Sequence, residues 1–112
     1  MSDLPWVPQF RAELTFHFRE HGSDRRRWFL FGEDHVRRVP MQMDGFEGLS
    51  TVAIHSPECG PFSAGDTIDV SCRVVAKPFF EPIVAPGVVF ELHDGGFFAR
   101  GVVTERVEEG WA

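Results

Sequence analysis

Apolar and polar residues alternate one by one through several stretches of this chain. In Arg11-Ala-Glu-Leu-Thr-Phe-His-Phe-Arg19, the positions Ala12, Leu14, Phe16 and Phe18 interleave with Arg11, Glu13, Thr15, His17 and Arg19. A period of two sends these sets to opposite faces of a strand, one buried and one wet. Asp66-Thr-Ile-Asp-Val-Ser-Cys-Arg-Val74 repeats the pattern, with Ile68, Val70, Cys72 and Val74 facing in and Thr67, Asp69, Ser71 and Arg73 facing out. Val88, Phe90 and Leu92 alternate with Val89, Glu91 and His93. Less regular alternation runs from His35 to Met43, Leu49 to His55 and Phe97 to Val107. Six strands are predicted, and helical periodicity is scarce.

The punctuation between these stretches is turn chemistry. Gly22-Ser23-Asp24, Ser56-Pro57-Glu58-Cys59-Gly60-Pro61, Ala64-Gly65-Asp66, Ala85-Pro86-Gly87 and Asp94-Gly95-Gly96 combine glycine, which tolerates positive φ, with proline and short polar residues. Asp94-Gly95-Gly96 between two alternating runs reads as a hairpin. Many short strands with close turns favour a sandwich or a small barrel. Twelve phenylalanines and no tyrosine fit a dry aromatic core, because a buried phenol needs a hydrogen-bond partner. With 112 residues the chain is long enough for one core and not for two. The expected organisation is an N-terminal extended arm over residues 1–9, holding Leu4-Pro-Trp-Val-Pro, and a single all-β domain over residues 10–112.

Charge narrows the partners. A formal net charge of −6 works against non-specific binding to phosphate backbones. The basic residues are ten arginines and one lysine, Lys77, and five of the arginines fall in Arg25-Arg26-Arg27 and Arg37-Arg38. Between them stand Trp28, Phe29 and Phe31. Arginine and large aromatics are the residue types enriched at binding hot spots, and the guanidinium fork suits carboxylates. The expected partner-binding surface is therefore Arg25, Arg26, Arg27, Trp28, Phe29, Phe31, Arg37 and Arg38, in the connection between the first two strands. The plain alternative is that the aromatics plug the end of the domain while the arginines pair with local acids. No apolar run approaches the roughly 18 residues of a spanning helix, and no secretory leader is visible, so a membrane role is not expected and the cytoplasm is the expected compartment.

Catalytic and metal chemistry find little support. Of His17, His21, His35, His55 and His93, the first two are four apart, a spacing that serves a metal on a helix but not on a strand, and no Cys-x-x-Cys occurs. His17, His55 and His93 are expected on the outer surface of separate strands. Cys72 falls on an inward position and serves as a small hydrophobe, whereas Cys59 sits in a Pro/Gly loop. Cys59 with His55 is the one pairing with the makings of a dyad, but no third group to orient it is evident. Serines lack a Gly-x-Ser-x-Gly setting. No enzymatic activity, cofactor or metal is expected.

In order along the chain, four stretches resemble the C-terminal β-barrel domain, the third domain, of translation elongation factor Tu. Phe10-Arg-Ala-Glu-Leu-Thr-Phe16 is similar to the first strand of that family, and Ala64-Gly-Asp-Thr-Ile-Asp-Val70 to its Pro-Gly-Asp turn into a long strand. Val74-Val-Ala-Lys-Pro-Phe-Phe-Glu-Pro-Ile83 takes the place of its Leu-Ile-x-Pro-Ile continuation. Val88 to Val107 resembles its closing hairpin, which ends in Gly-Val-Val-x-x-Val. The resemblance covers about residues 10–107 and implies a six-stranded antiparallel closed β-barrel. It also implies contacts with protein partners, and with the T-stem of tRNA through the hairpin glycines, here Gly95 and Gly96. The Arg-His-Thr-Pro-Phe segment of the family is replaced by Arg25-Arg-Arg-Trp-Phe-Leu-Phe31, and of its Tyr-Arg-Pro-Gln-Phe strand entry only Arg37 remains. A Gly-x-x-x-x-Gly-Lys-Ser/Thr loop is missing, so GTP is not an expected ligand. The expected function is a free-standing, non-catalytic module that binds a protein, in the manner of an immunity or antitoxin protein. RNA binding through the Arg25–Arg38 segment and Gly95-Gly96 is the alternative, disfavoured by the net charge.

Overall fold

Six strands close into an antiparallel β-barrel in a computed structural model that describes residues 4–17 and 31–112. The strands are β1 (Phe10–Phe16), β2 (Val36–Met43), β3 (Ser50–His55), β4 (Thr67–Val74), β5 (Val89–His93) and β6 (Phe97–Arg106). Around the barrel they run β1-β4-β3-β2-β5-β6, and β6 returns to β1. Every neighbouring pair is antiparallel, so β1, β3 and β5 run one way and β2, β4 and β6 the other. The β3–β4 and β5–β6 connections therefore share one mouth of the barrel with the end of β1 and the start of β2. The β2–β3 and β4–β5 connections share the opposite mouth with the residues that precede β1 and follow β6.

The alternation read from the sequence sets the inner wall. Phe10, Ala12, Leu14 and Phe16 of β1 are buried, with Cys72 and Val70 of β4 opposite Phe10 and Ala12. Met41 and Met43 meet Leu92 and Phe90 across β2 and β5, and Val39 meets Val52 across β2 and β3. Closing a sheet in this way leaves no edge strand to recruit another chain. The glycine of β6 that faces Phe90 makes room for it: a Cβ on Gly101 would overlap the Phe90 ring. Phe90 in turn sits edge-on to Phe10, with ring centroids 5.9 Å apart.

Both mouths are stoppered by aromatic side chains. At the first, Phe16 stacks on Phe62 at 5.4 Å and Phe31 meets Phe62 edge-on at 6.0 Å. At the second, the β4–β5 connection forms a short helix α1 (Lys77–Phe80) that turns Phe80 inward against Phe46, with centroids 4.6 Å apart. A 3-10 helix at Glu108–Trp111 follows β6 and brings Trp111 back onto the start of β1. There the Gln9 backbone carbonyl accepts hydrogen bonds from Val107 N at 2.9 Å and from Trp111 Nε1 at 3.0 Å. The buried Gln9 side chain donates to the Gly110 carbonyl and accepts from Val74 N at 2.7 Å. This satisfies both ends of an amide whose burial would otherwise carry a desolvation penalty. Among the described residues no helix is long and apolar enough to cross a membrane.

Candidate functional site

Of the partner-binding and hairpin residues singled out in the sequence, Phe31, Arg37, Gly95 and Gly96 lie at the first mouth. Arg25, Arg26, Arg27, Trp28 and Phe29 lie outside the described residues. Phe31, expected on the partner-binding surface, is 5% exposed and packs on Phe62 in the stopper, where an apolar ring at the barrel mouth is drawn out of water. Arg37 shares the inward phase of β2 with Val39 and Met41, opposite Ile54, but stands at the rim. From there its Nη2 reaches Asp94 Oδ2 at 2.8 Å, bridging β2 to the β5–β6 hairpin. Arg38 is exposed and makes no ion pair or hydrogen bond with a described residue. Gly95 (φ 69°) and Gly96 (φ 143°) form the tip of the hairpin in conformations that side chains resist. The structure thus brings Arg37 to the Gly95-Gly96 turn, but with its charge engaged by an acid.

Other arginines follow the same pattern. Arg100 pairs with Glu91 at 3.2 Å, Arg11 with Glu105 at 3.8 Å and Arg106 with Glu108 at 2.6 Å. Arg73 donates to the Val7 carbonyl at 2.9 Å, which ties the segment before β1 across the outer face of β4. That segment also lays Trp6 edge-on against His55, with ring centroids 6.4 Å apart.

His55 is the second departure from expectation. It takes an outward position on β3, opposite Val36 and Ser71, yet only 4% of it is exposed. Its Nε2 is buried with no hydrogen-bond partner. Burial, and then the nearby His35, hold its pKa below the ordinary 6.5, while Asp34 pulls weakly the other way.

Beside it, residues 31–35 and 56–59 are laced together. Phe31 N donates to the Cys59 carbonyl at 2.9 Å and Ser56 N to the His35 carbonyl at 3.0 Å. His35 takes the left-handed conformation, with φ 60°, in a turn closed by Asp34 Oδ1 accepting from Val36 N. His35 Nδ1 lies 2.9 Å from the Ser56 carbonyl. A carbonyl only accepts, so Nδ1 carries the proton and Nε2 is left with a free lone pair. Cys59 Sγ lies 3.6 Å from Nδ1 and 3.5 Å from Nε2. Near-equal distances place the sulfur over the ring face, since in the ring plane it would overlap the carbon between the two nitrogens. The Cys59 thiol also points a weak contact at the Gly32 carbonyl, at 3.6 Å. The cysteine is half-buried, and its partner is His35 rather than the expected His55. The orienting group that the sequence did not reveal is a backbone carbonyl.

At the opposite mouth lies a feature that sequence reasoning missed. Leu49, Val75 and Phe79 are 56%, 72% and 63% exposed, and they sit in the two connections that share that end. Val75 N donates to the Thr51 carbonyl near the start of β3, and the ring of Phe46 in the β2–β3 connection lies 6.0 Å from that of Phe79 in the β4–β5 connection. The signal was the pair Phe79-Phe80 on one helical turn: neighbours in a helix point about 100° apart, so both rings cannot enter the barrel.

Among the described residues no group of three or more His, Cys, Asp or Glu side chains is placed to hold a metal ion. A shallow groove of about 270 Å³ on the outer wall is lined by Arg11, Pro57, Asp69, Ser71 and Thr104. In comparisons with known proteins, no family model matches the chain and no curated protein matches it significantly.

Proposed function

We propose that this barrel is a non-catalytic module that binds a protein partner, of the kind found as the third domain of elongation factor Tu. The observation that carries the reading is the exposure of Leu49, Val75 and Phe79 together at one mouth. Large apolar side chains left exposed at one end of a domain are a common mark of a protein contact. Large aromatics such as Phe79 supply much of the energy at such contacts. A net charge of −6 adds selectivity for a partner of opposite sign, as in an immunity or antitoxin protein that occupies a basic toxin. RNA finds less support, because Arg37 is already paired with Asp94 and the net charge repels phosphate.

Affinity capture from the native lysate, with and without nuclease, tests this against the double variant Val75→Ser/Phe79→Ser. The wild type is expected to retain a nuclease-insensitive protein that the variant loses, while the variant melts within a few degrees of the wild type. Equal capture by both chains removes the apolar mouth from the function. Capture that disappears with nuclease, or that weakens steeply with salt, replaces the reading with RNA binding.

A further inference from the structure

Acids surround the apolar mouth, and the cations near it are spent. Asp44 and Glu47 stand in the β2–β3 connection on either side of Gly45-Phe46, and Glu81 ends α1 two residues after Phe79. Glu109 lies in the 3-10 helix that follows β6 to the same end of the barrel. All four are exposed, and none forms an ion pair with a described residue. The two basic residues there turn back onto the chain. Lys77 Nζ donates to the Ala112 carbonyl at 3.2 Å, and Arg106 divides its donors among the Glu81 and Val84 carbonyls and the Glu108 carboxylate. The charge left facing outward at this mouth is negative.

We propose that the mouth receives a basic amphipathic helix of another protein, an inference that rests on the protein-binding reading above. The apolar face of that helix lies on Leu49, Val75 and Phe79, and its lysines or arginines reach the acids alongside. The three apolar residues are neighbours: Val75 N donates to the Thr51 carbonyl two residues after Leu49, and the Phe46 ring lies 6.0 Å from that of Phe79. Phe46 and Ile83 pack beneath them on the core, so the platform is formed before the partner arrives and little ordering is charged against binding.

The fold and the charge select this occupant over others. A closed barrel offers no strand edge for a partner to extend, so a docking segment has to engage side chains, as an amphipathic helix does with anchors three or four residues apart. A second copy of the chain, related by a two-fold axis, would bring the same unpaired acids face to face. An anionic lipid surface meets the same repulsion. Lysine and arginine beside an apolar stripe satisfy both halves of the surface at once.

The test measures binding of a labelled synthetic helix of leucine and lysine, with the leucines on one face, to the full chain by fluorescence anisotropy at one physiological ionic strength. The same helix with glutamate in place of lysine is measured beside it. The wild type is expected to bind the lysine helix about tenfold or more tightly than the glutamate helix. Val75→Ser/Phe79→Ser and Glu47→Lys/Glu81→Lys are each expected to weaken that binding about tenfold or more. Glu13→Lys/Asp69→Lys makes the same change in net charge on the outer wall, where these exposed acids face each other across β1 and β4, and is expected to bind within about twofold of the wild type. Equal affinity for the two helices, equal losses from the two charge reversals, or a loss from neither overturns the proposal. So does a dimer in sedimentation, or retention on phosphatidylcholine vesicles, that Val75→Ser/Phe79→Ser abolishes. Repeating the lysate capture with Glu47→Lys/Glu81→Lys separates the two readings. A partner lost by the serine variant but kept by the lysine variant leaves protein binding in place and removes the basic helix, whereas a partner kept by both removes both. If the lysine variant does not fold, Glu47→Gln/Glu81→Gln takes its place in each comparison.

Discussion

His55 shows how little the face of a strand says about burial once another segment crosses it. The residue is outward by register, and alternation alone places it in water. Trp6, held nearby through the Arg73 contact to Val7, covers it instead. Its lowered pKa makes the native state bind a proton less readily than the unfolded chain, whose histidine titrates near 6.5. This contribution to stability is therefore complete above 6.5 and is lost as pH falls through 6.5 toward the native value. His55→Phe keeps a flat ring against Trp6 and removes the titrating, unpartnered nitrogen. Urea unfolding at about pH 5 and about pH 8 is expected to show a smaller difference for His55→Phe than for the wild type. At the higher pH the variant is expected to be as stable as the wild type or slightly more so. An undiminished pH difference would assign the acid sensitivity to other groups.

At the scale of elements, strand positions and inner faces were legible because period-two alternation is a local property. Leu14 and Phe16, Val70 and Cys72, and Phe90 and Leu92 all point where their spacing sends them. Pairings between distant segments were not legible. Cys59 was matched with His55 because the two are close in sequence, whereas the fold presents His35, 24 residues away, through a loop folded back over the mouth. Arg37 was grouped with a partner-binding surface between the first two strands; it stands on the inward phase of β2 and reaches Asp94 at the rim. Gly101 looked like one more glycine in a strand, yet Phe90 from β5 lies where its side chain would be. Gly101→Ala is expected to cost about 1–3 kcal/mol in denaturant unfolding, the usual range for overpacking a filled core. Pairing it with Phe90→Leu should recover part of that loss, so the double variant is expected to be less destabilised than the sum of the singles. Additive losses would mean that the two residues do not compete for the same space.

For the molecule as a whole, the barrel is locked where its first and last segments meet. Trp111 is buried against Gln9, with the Arg106 guanidinium 4.7 Å from the ring centroid. Gly110 beside it allows close approach to the Pro8 carbonyl. Trp111→Ala is expected to cost about 3 kcal/mol or more, since it removes a buried aromatic and leaves a carbonyl with one fewer donor. Chemical denaturation measures it, and a loss below about 1 kcal/mol would show that the clasp is ornamental to stability. This lock was partly foreseeable, because an aromatic so near the end of an otherwise acidic stretch must pack somewhere. Its partner was not, since Gln9 reads as a polar residue at the end of the extended arm.

Because β1 is held between β4 and β6, the cylinder has a seam that only the final strand can seal. During synthesis, β1 through β5 can emerge and associate while the flank of β1 that belongs to β6 is still bare. The ribosome has to release Arg106 before that seam closes, so a translational pause just upstream of β6 would hold open a sheet with two unsatisfied borders. Such a nascent chain is the form of this protein most exposed to pairing with the wrong neighbour.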